Sequence, residues 1–473
     1  MIRSTLKKES KELFRDGRIR ITFILVIILA IVAIVISALH YKNINEEYVT
    51  AKNSEREVWD NQGEKNPHSA AHYGTYAFKP KYPLALIDQG VDKYTGTSIF
   101  LEAHNRNEAQ FDEASDQTGL ARFGNLTPDF ILMFIIPLLI ILIAYNSLTK
   151  EKEMGTITLL NSQGAISFKL ILGKWLAIFL PLLVLLFILF LVTGVILSNL
   201  PDLGAFSWLS LTTLFFTYLV YYAIFINLIL IVSGLVHKSG ISLVLSLSIW
   251  ILVCLVLPKT ASNIAEYKYP YPTKQQFAAS IAKAKKEGLD GHDTWSKASK
   301  ALEIQVLKEY GVDSLSQLPF NYDGYRMQKG EEHQAEVYFR HYEQLKKQYL
   351  NQSNIYKQLA LISPFLPTRF LSMSIANTDY NSHWDFADAG ENYRIEMQKF
   401  LNDHFANESD YGEWSWKADA EFWKQLPKFN YEPPTLLDNL KHNTNNILIL
   451  LCWLIGSFVL LFFTTKSLKN VKI

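Results

Sequence analysis

Six long runs of apolar residues constrain the fold of this chain more than any other feature of its sequence. A helix needs roughly 20 mostly apolar residues to cross the hydrocarbon core of a bilayer. Runs that reach or approach this length occupy residues 21–39, 129–145, 175–197, 206–236, 241–257 and 447–465. Other stretches of the 473 residues are as polar as a soluble protein, so the average apolar content of 49% hides a strong segregation. The sequence therefore predicts a polytopic membrane protein with six transmembrane helices.

The distribution of lysine and arginine predicts how these helices are oriented. Cytoplasmic loops of membrane proteins carry an excess of basic residues. Residues 1–20 contain seven of them, the loop at 146–174 contains four and the tail at 466–473 contains three, whereas the short loop at 198–205 contains none. The three basic regions lie on one side if all six helices cross, so we expect both termini in the cytoplasm.

Residues 1–20 have an amphipathic pattern of their own. Ile2, Leu6 and Leu13 fall close to one helical face, with Phe14 beside it and charged residues elsewhere. This pattern predicts a helix that lies on the inner membrane surface, with Gly17 marking the turn into the first transmembrane helix. The alternative is a disordered basic tail that only sets the topology.

Two polar segments, 41–128 and 258–446, are expected outside the cytoplasm. The first contains several glycines and prolines and two short apolar patches. The second reads as mainly helical, with apolar positions recurring at helical spacing in four stretches, 273–287, 294–310, 329–350 and 381–405. We therefore expect an all-α membrane protein with a mainly helical (α or α+β) extracytoplasmic domain, built from both segments packed together. Cys254 and Cys452 both fall in apolar runs, so the polar segments have no cysteine for a disulfide, which fits a bacterial inner-membrane protein.

The sequence lacks the common motifs of enzymes. It contains no phosphate-binding G-x-x-x-x-G-K-[ST] loop, no H-E-x-x-H and no G-x-S-x-G. His68 and His72 stand four residues apart, but two histidines without a third ligand are a weak metal pattern. The net charge of +1 gives no electrostatic reason to expect nucleic acid as a partner. We therefore expect a non-enzymatic chain without a catalytic, cofactor or metal site.

The polar residues inside the apolar runs are neutral. A proton- or sodium-coupled carrier would normally place an acidic residue there. Residues that could line a translocation path are Thr213, Thr217, Tyr221 and Asn227. If the protein moves a substrate, the energy must therefore come from another protein.

The loop at 146–174 combines a charged turn, a short amphipathic helix and a break before the third apolar run. Met154, Ile157 and Leu160, with Leu159 beside them, form an apolar stripe that a lone chain would expose. Such a stripe needs a partner groove or the membrane surface. An ordinary interfacial helix between two transmembrane helices is the alternative interpretation.

In this loop the chain resembles the ABC-2-type permeases, the membrane subunits of type-2 ABC exporters. Those proteins carry an E-x-x-x-G-T-(x)-x-x-L-L motif after the second transmembrane helix and a G-K pair leading into the third. The residues that match in type and order are Glu151, Glu153, Gly155, Thr156, Leu159, Leu160, Gly173 and Lys174. The family also has six transmembrane helices and a helix on the inner surface before the first one. The two large polar segments resemble those of a bacterial subgroup, as does Pro427-Lys428-Phe429-Asn430-Tyr431.

The resemblance implies a function and a set of partners. The loop would be a coupling helix that docks on a separate ATPase subunit, which holds ATP and Mg²⁺. Glu151 and Glu153 would meet basic or polar groups there, Gly155 would allow close backbone approach, and Leu159 and Leu160 would fill an apolar contact. Two permease chains, identical or different, would pair in the lipid bilayer and export an unidentified substrate. A mechanical or envelope-assembly machine without a transported substrate, and a membrane-anchored sensor or enzyme, are the alternatives.

Overall fold

The computed structural model describes residues 1–116, 126–200 and 206–469. Within them, six helices are long and apolar enough to cross a membrane, and we number them span 1 to span 6 in chain order. They are Ile19–Asp60, Pro128–Glu153, Phe168–Asn199, Trp208–Leu235, Ser239–Lys268 and Thr444–Lys466. The expected all-α polytopic membrane protein is therefore confirmed. Residues 201–205 of the expected third-to-fourth loop, 117–125 of the first polar segment and 470–473 of the tail lie outside the described residues.

The chain begins with two helices joined at a sharp bend. Helix α1, Ile2–Arg15, ends at Asp16, whose backbone is extended, and α2, Gly17–Asp60, follows at once. The N-terminal segment is thus helical, as its pattern predicts. At 1.5 Å per residue, the 44 residues of α2 extend about 66 Å, twice the thickness of the hydrocarbon core. The expected start of a separate polar segment at residue 41 lies inside this helix, because residues 41–60 contain no glycine or proline that would end it.

Spans 2 and 5 each contain a π-helical turn that ends two residues before a proline. Span 2 begins with α5 (Pro128–Phe130), a π-turn (Ile131–Ile135) and α6 (Ile136–Ala144) and ends in a short helix, α7 (Thr149–Glu153). Span 5 consists of α11 (Ser239–Ile251), a π-turn (Leu252–Val256) and α12 (Leu257–Lys268). Pro137 and Pro258 lack the N–H that would continue the ladder. The Leu132 carbonyl instead accepts from the Tyr222 hydroxyl of span 4 at 3.0 Å, and the Val253 carbonyl accepts from Ser363 Oγ, which lies outside the spans, at 2.8 Å.

The remaining spans are unbroken helices, and span 4 lies at the centre of the bundle. Spans 3, 4 and 6 are α9 (Phe168–Asn199), α10 (Trp208–Leu235) and α19 (Thr444–Lys469). A further short helix, α8 (Thr156–Ser162), follows α7 and precedes span 3. Helix α10 packs against α6, α9, α11 and α19, so most of its side chains are buried.

The two polar segments form one mainly helical extramembrane domain. The first contributes α3 (Pro67–Tyr73), α4 (Glu113–Asp116) and the antiparallel strands β1 (Thr75–Phe78) and β2 (Ser98–Leu101). The second contributes α13 (Lys274–Lys286), α14 (Lys297–Tyr310), α15 (Tyr322–Leu359), α16 (Phe365–Ile375), α17 (Tyr380–Glu408) and α18 (Leu436–His442). The four helices expected in this segment are thus present, with α15 longer than its pattern indicated. Single 3-10 turns occur at Pro83–Leu86, Leu315–Gln317 and Phe422–Gln425.

The far end of α2 is part of the core of this domain. The indole of Trp59 is 2% exposed, and its Nε1 donates to the carbonyl of Trp423 at 3.1 Å. The two indoles meet edge to face, with ring centroids 6.1 Å apart. A single helix therefore runs from the membrane into the interior of the extramembrane domain.

Candidate functional site

The connection between α6 and α9 contains a pair of short helices joined by a tight turn. Helices α7 and α8 are connected through Met154 and Gly155, and Gly155 has a φ of +69°. Glycine adopts this left-handed conformation without the steric cost that a side chain would add. A Cβ at this position would meet no described atom within 4 Å, so the turn faces open space. The hydroxyl of Thr156 donates to the Glu151 carbonyl at 3.1 Å and closes the turn.

The predicted apolar stripe is divided between the interior and the surface. Ile157 is 6% exposed and belongs to the main hydrophobic core, and Leu160 is half-buried against it. Met154 and Leu159 are 66% and 59% exposed. The surface that a partner could cover therefore consists of Met154, Gly155 and Leu159, which we call the loop patch.

The acidic residue that opens the motif is buried in an ion-pair cluster. Glu151 is 8% exposed, and its Oε1 lies 3.0 Å from Nζ of Lys174, which is 2% exposed. The same ammonium group lies 2.8 Å from Oε1 of Glu9 on α1. This cluster joins α7 to α1 and α9. Glu151 is thus paired inside the chain through Oε1, and its expected contact with a partner stays a prediction.

Two further charged residues attach the loop to the neighbouring helix ends. The carboxylate of Glu153 accepts hydrogen bonds from the backbone N–H and the hydroxyl of Ser239, both at 2.7 Å, at the N-terminus of α11. The ammonium of Lys152 donates to the carbonyls of Gly234 and Val236 at the end of α10, at 2.5 and 2.8 Å. Both placements are favourable because helix N-termini attract negative charge and C-termini attract positive charge.

Gly173 of the G-K pair permits close packing of two helices. A Cβ on Gly173 would lie 2.7 Å from Cβ of Thr5 and 3.1 Å from the carbonyl of Ile2. Because such distances are below ordinary van der Waals contact, α1 can lie against α9 only where no side chain is present. The G-K pair therefore serves the N-terminal helix in two ways, with the glycine allowing its approach and Lys174 pairing with Glu9.

We expect Gly173→Ala to lower the free energy of unfolding by about 1–3 kcal/mol, because the added methyl overpacks this contact. Thermal unfolding in detergent, followed by tryptophan fluorescence, measures the change. Gly240→Ala is the matched control, since a Cβ there would meet no described atom within 4 Å. A Gly173→Ala variant as stable as this control would show that α1 does not need the close approach.

The four residues predicted for a translocation path use their polar groups within the chain. The hydroxyls of Thr213 and Thr217 donate to carbonyls one turn earlier in α10, at 2.8 and 2.9 Å. The Tyr221 hydroxyl donates to the Met133 carbonyl at 3.1 Å, and the neighbouring Tyr222 hydroxyl donates to the Leu132 carbonyl at 3.0 Å. The two tyrosines therefore satisfy carbonyls of the turn that precedes Pro137.

Asn227 joins three spans. Its Oδ1 accepts from Nε1 of Trp175 at 2.8 Å, and its Nδ2 donates to Oγ of Ser457 at 2.8 Å. Spans 3, 4 and 6 are thus connected through one buried amide. The role of Thr213, Thr217, Tyr221 and Asn227 in a path stays a prediction.

A second buried ion-pair cluster lies where the bundle meets the extramembrane domain. Nη1 of Arg369, on α16, lies 3.0 Å from Asp88 and 2.7 Å from Asp129 at the start of span 2. The second oxygen of Asp88 accepts from Ser372 Oγ at 2.5 Å, and that hydroxyl lies 2.9 Å from the Tyr218 hydroxyl on span 4. Asp88 is fully buried, and burial raises the pKa of its carboxyl to about 6 against the opposing effect of Arg369. We call this group the boundary cluster.

The structure adds two further histidines to His68 and His72, the pair that forms only a weak metal pattern in the sequence. His104 and His292, which are distant in sequence, lie beside His68 and His72. Sequence reasoning missed them because neither stands near another histidine along the chain.

Comparison with known proteins bears on the second polar segment. Residues 274–432 match the family described as a domain of unknown function, DUF3526. The match begins after span 5 and ends before span 6, so it contains neither a span nor the loop patch. No curated protein matches the chain. The chain is thus a multi-pass membrane protein whose second extramembrane segment is similar to the DUF3526 family.

Proposed function

We propose that this chain is the permease subunit of an ATP-driven exporter of the ABC-2 type. A separate ATPase subunit docks on the loop patch, and two permease chains pair in the membrane. The observation that carries the proposal is the exposure of Met154 and Leu159 on a loop that buried ion pairs hold in place. Exposed apolar side chains on a fixed element are suited to a partner groove. The resemblance of the loop to the family motif supports the same assignment.

The attachments of the loop support a mechanism for the coupling. A displacement of the loop patch is transmitted to α1 and span 3 through the ion pairs of Lys174. It is transmitted to span 4 through the hydrogen bonds of Lys152 and to span 5 through those of Glu153. ATP binding that closes the two ATPase subunits therefore moves several spans together. Gly155 contributes a turn without a side chain, which lets a partner approach the backbone.

A second candidate function is a machine that transmits motion without exporting a substrate. It is favoured by the continuity of α2, which runs from the membrane surface to the Trp59–Trp423 contact in the extramembrane domain. The boundary cluster adds a second rigid link between the spans and that domain. Under this alternative, ATP hydrolysis would move the extramembrane domain against a partner in the cell envelope.

The docking assignment is tested by co-purification. The chain is expressed with an ATP-binding-cassette ATPase from an adjacent gene and recovered from detergent extracts. We expect Met154→Arg combined with Leu159→Arg to lower the recovered ATPase at least tenfold, because two charges are placed in an apolar contact; tenfold corresponds to about 1.4 kcal/mol. Leu437→Arg is the matched control, since Leu437 is 61% exposed on α18 of the extramembrane domain.

Equal recovery of ATPase by the double variant and the control would reject the loop patch as the docking surface. Both side chains are exposed, so the substitutions leave the core intact, which size-exclusion chromatography and thermal unfolding verify. Reconstitution of the complex in vesicles separates the two candidate functions. An exporter shows ATP-dependent accumulation of substrate inside inverted vesicles, whereas a mechanical machine hydrolyses ATP without moving substrate.

A further inference from the structure

Four histidines from distant parts of the chain converge in the extramembrane domain. His68 and His72 lie on α3, His104 follows β2, and His292 lies in the connection between α13 and α14. One ring nitrogen from each lies within 4.8 Å of the other three. Within this group, Nε2 of His68 and His72 are 3.1 Å apart, and Nε2 of His104 and His292 are 2.7 Å apart.

Local structure explains how the ring nitrogens come together. Residues four apart on a helix share one face, so His68 and His72 project side by side from α3. The side chain of Asn66 caps this helix by accepting from the His68 N–H at 2.9 Å. The main chain of His292 is held in a similar way, since its N–H donates to the Asp290 carboxylate at 3.0 Å.

His104 is held in an unusual backbone conformation. Its φ is +66°, a region that residues other than glycine rarely adopt and that is often found at functional sites. The backbone N–H of His104 donates to Oε1 of Glu331 at 2.9 Å, and its carbonyl accepts from Nζ of Lys285 at 2.7 Å. Two buried or half-buried charged groups thus hold this one residue in position.

Glu331 also orients the imidazole of His104. Its carboxylate is 5% exposed and lies 2.5 Å from Nδ1 of His104, while the other oxygen lies 3.1 Å from Nη1 of Arg394. A carboxylate beside Nδ1 favours the tautomer that carries its proton there, which leaves the Nε2 lone pair free to point at the other histidines. This carboxylate–histidine pair is the arrangement that commonly supports a metal-binding imidazole.

We propose that His68, His72, His104 and His292 bind one zinc ion that links the two polar segments of the extramembrane domain. Imidazole nitrogen is a preferred ligand of zinc, with bonds of about 2.0–2.1 Å. Tetrahedral ligands at that distance lie roughly 3.3 Å apart, close to the two Nε2–Nε2 separations described above. Four protein ligands fill the coordination shell, as in structural zinc sites, so this site holds the fold together and performs no catalysis.

A metal binds the neutral form of each imidazole, in which one ring nitrogen carries a lone pair. Neutral histidines present lone pairs to one another, and a cation in their midst converts this repulsion into coordination.

The proposed site joins parts of the chain that lie on either side of spans 2 to 5. His68, His72 and His104 belong to the first polar segment, and His292 belongs to the second. Zinc would therefore anchor the α13–α14 connection to α3, next to the hydrogen bond of 3.0 Å from Arg326 Nε to the Gly291 carbonyl. This inference is independent of the proposed coupling to an ATPase.

The test is a measurement of bound metal on the full chain. The protein is purified in detergent with a tag that contains no histidine, treated with a chelator, dialysed against zinc chloride and analysed for zinc by mass spectrometry. We expect one zinc per chain and at least a tenfold loss of affinity in His292→Ala. His442→Ala is the matched control, because His442 is exposed on α18 and outside the cluster. His292→Cys should keep the zinc, since a thiolate replaces the lost ligand.

Two outcomes would overturn the proposal. One is a wild-type chain that binds no more zinc than the His292→Ala variant, which would leave the histidines as hydrogen-bonded pairs. The other is zinc binding that survives both His292→Ala and His104→Ala. Cobalt provides a second readout, because tetrahedral Co²⁺ gives strong visible absorption that should be lost in His292→Ala and unchanged in His442→Ala. Circular dichroism verifies that each variant is folded before its metal content is interpreted.

Discussion

Lys174→Ala should lower the free energy of unfolding by about 3–5 kcal/mol, the usual cost of removing one partner from a buried ion pair. The ammonium of Lys174 is 2% exposed and lies between the carboxylates of Glu9 and Glu151, at 2.8 and 3.0 Å. Without it, two largely buried negative charges face each other. Lys8 lies 3.4 Å from Glu9 and 3.6 Å from Glu151 but compensates only part of this charge, because its side chain is 57% exposed. Chemical denaturation in detergent, followed by tryptophan fluorescence, measures the loss.

Lys150→Ala is a matched variant that separates the effect of burying an ion pair from the effect of removing a positive charge. Lys150 also pairs with α1, through Glu12 at 3.1 Å, but both side chains are about half exposed. Because exposed pairs contribute about 0–1 kcal/mol, Lys150→Ala should change stability little. Adding Glu9→Gln and Glu151→Gln to Lys174→Ala should restore part of the loss, since it removes the unpaired charges. A Lys174→Ala variant no less stable than Lys150→Ala would show that the cluster does not hold the loop.

The second large effect is expected at the boundary cluster. Arg369→Ala leaves the fully buried Asp88 and the nearby Asp129 without a counterion, and we expect a loss of about 3–5 kcal/mol at neutral pH. Lys424→Ala provides the control, because Lys424 forms only an exposed pair with Glu421. Asp88→Asn in the Arg369→Ala background should recover part of the loss, because it removes the uncompensated charge while keeping a polar group for Ser372.

The loss of stability in Arg369→Ala should depend on pH, and the pKa of Asp88 determines the direction of this dependence. In the wild type that pKa is about 6, above the value of 3.8 for an unperturbed carboxyl, so the folded state holds the proton more tightly than the unfolded state. The contribution of Asp88 to stability is therefore greatest below pH 3.8 and is lost as the pH rises through 6. Removing Arg369 raises the pKa further, since Arg369 is the main group that lowers it. Arg369→Ala should consequently be closer to the wild type at pH 5 than at pH 8, and an equal deficit at both values would contradict this account.

Several features of the fold could be predicted from local patterns. Hydrophobic run length is a property of consecutive residues, and it identified all six spans. The spacing of Ile2, Leu6 and Leu13 indicated α1, and helical spacing of apolar residues indicated α13, α14, α15 and α17. The stripe of Met154, Ile157 and Leu160, with Leu159 beside it, indicated an apolar surface in this loop, although only the structure showed that Ile157 is buried and that Met154 and Leu159 are exposed.

Features that depend on the partner of each side chain could not be predicted in this way. Glu151 looks like a surface carboxylate in sequence, and only the approach of α1 to α9 at Gly173 places Glu9 and Lys174 around it. Tyr221 looks like a candidate path residue, and only its position beside the turn before Pro137 shows that it satisfies the Met133 carbonyl.

The sequence by itself determined the six helices of the described residues that are long and apolar enough to cross a membrane, and it placed an apolar stripe in a polar loop, because both follow from composition over short stretches. Only the tertiary structure decided which charges of that loop are buried, how α2 continues into the extramembrane domain, and that His104 and His292 join His68 and His72. The physical reason is that ion pairing and metal coordination require atoms within a few ångströms. Such proximity between residues distant in sequence exists only once the helices have packed.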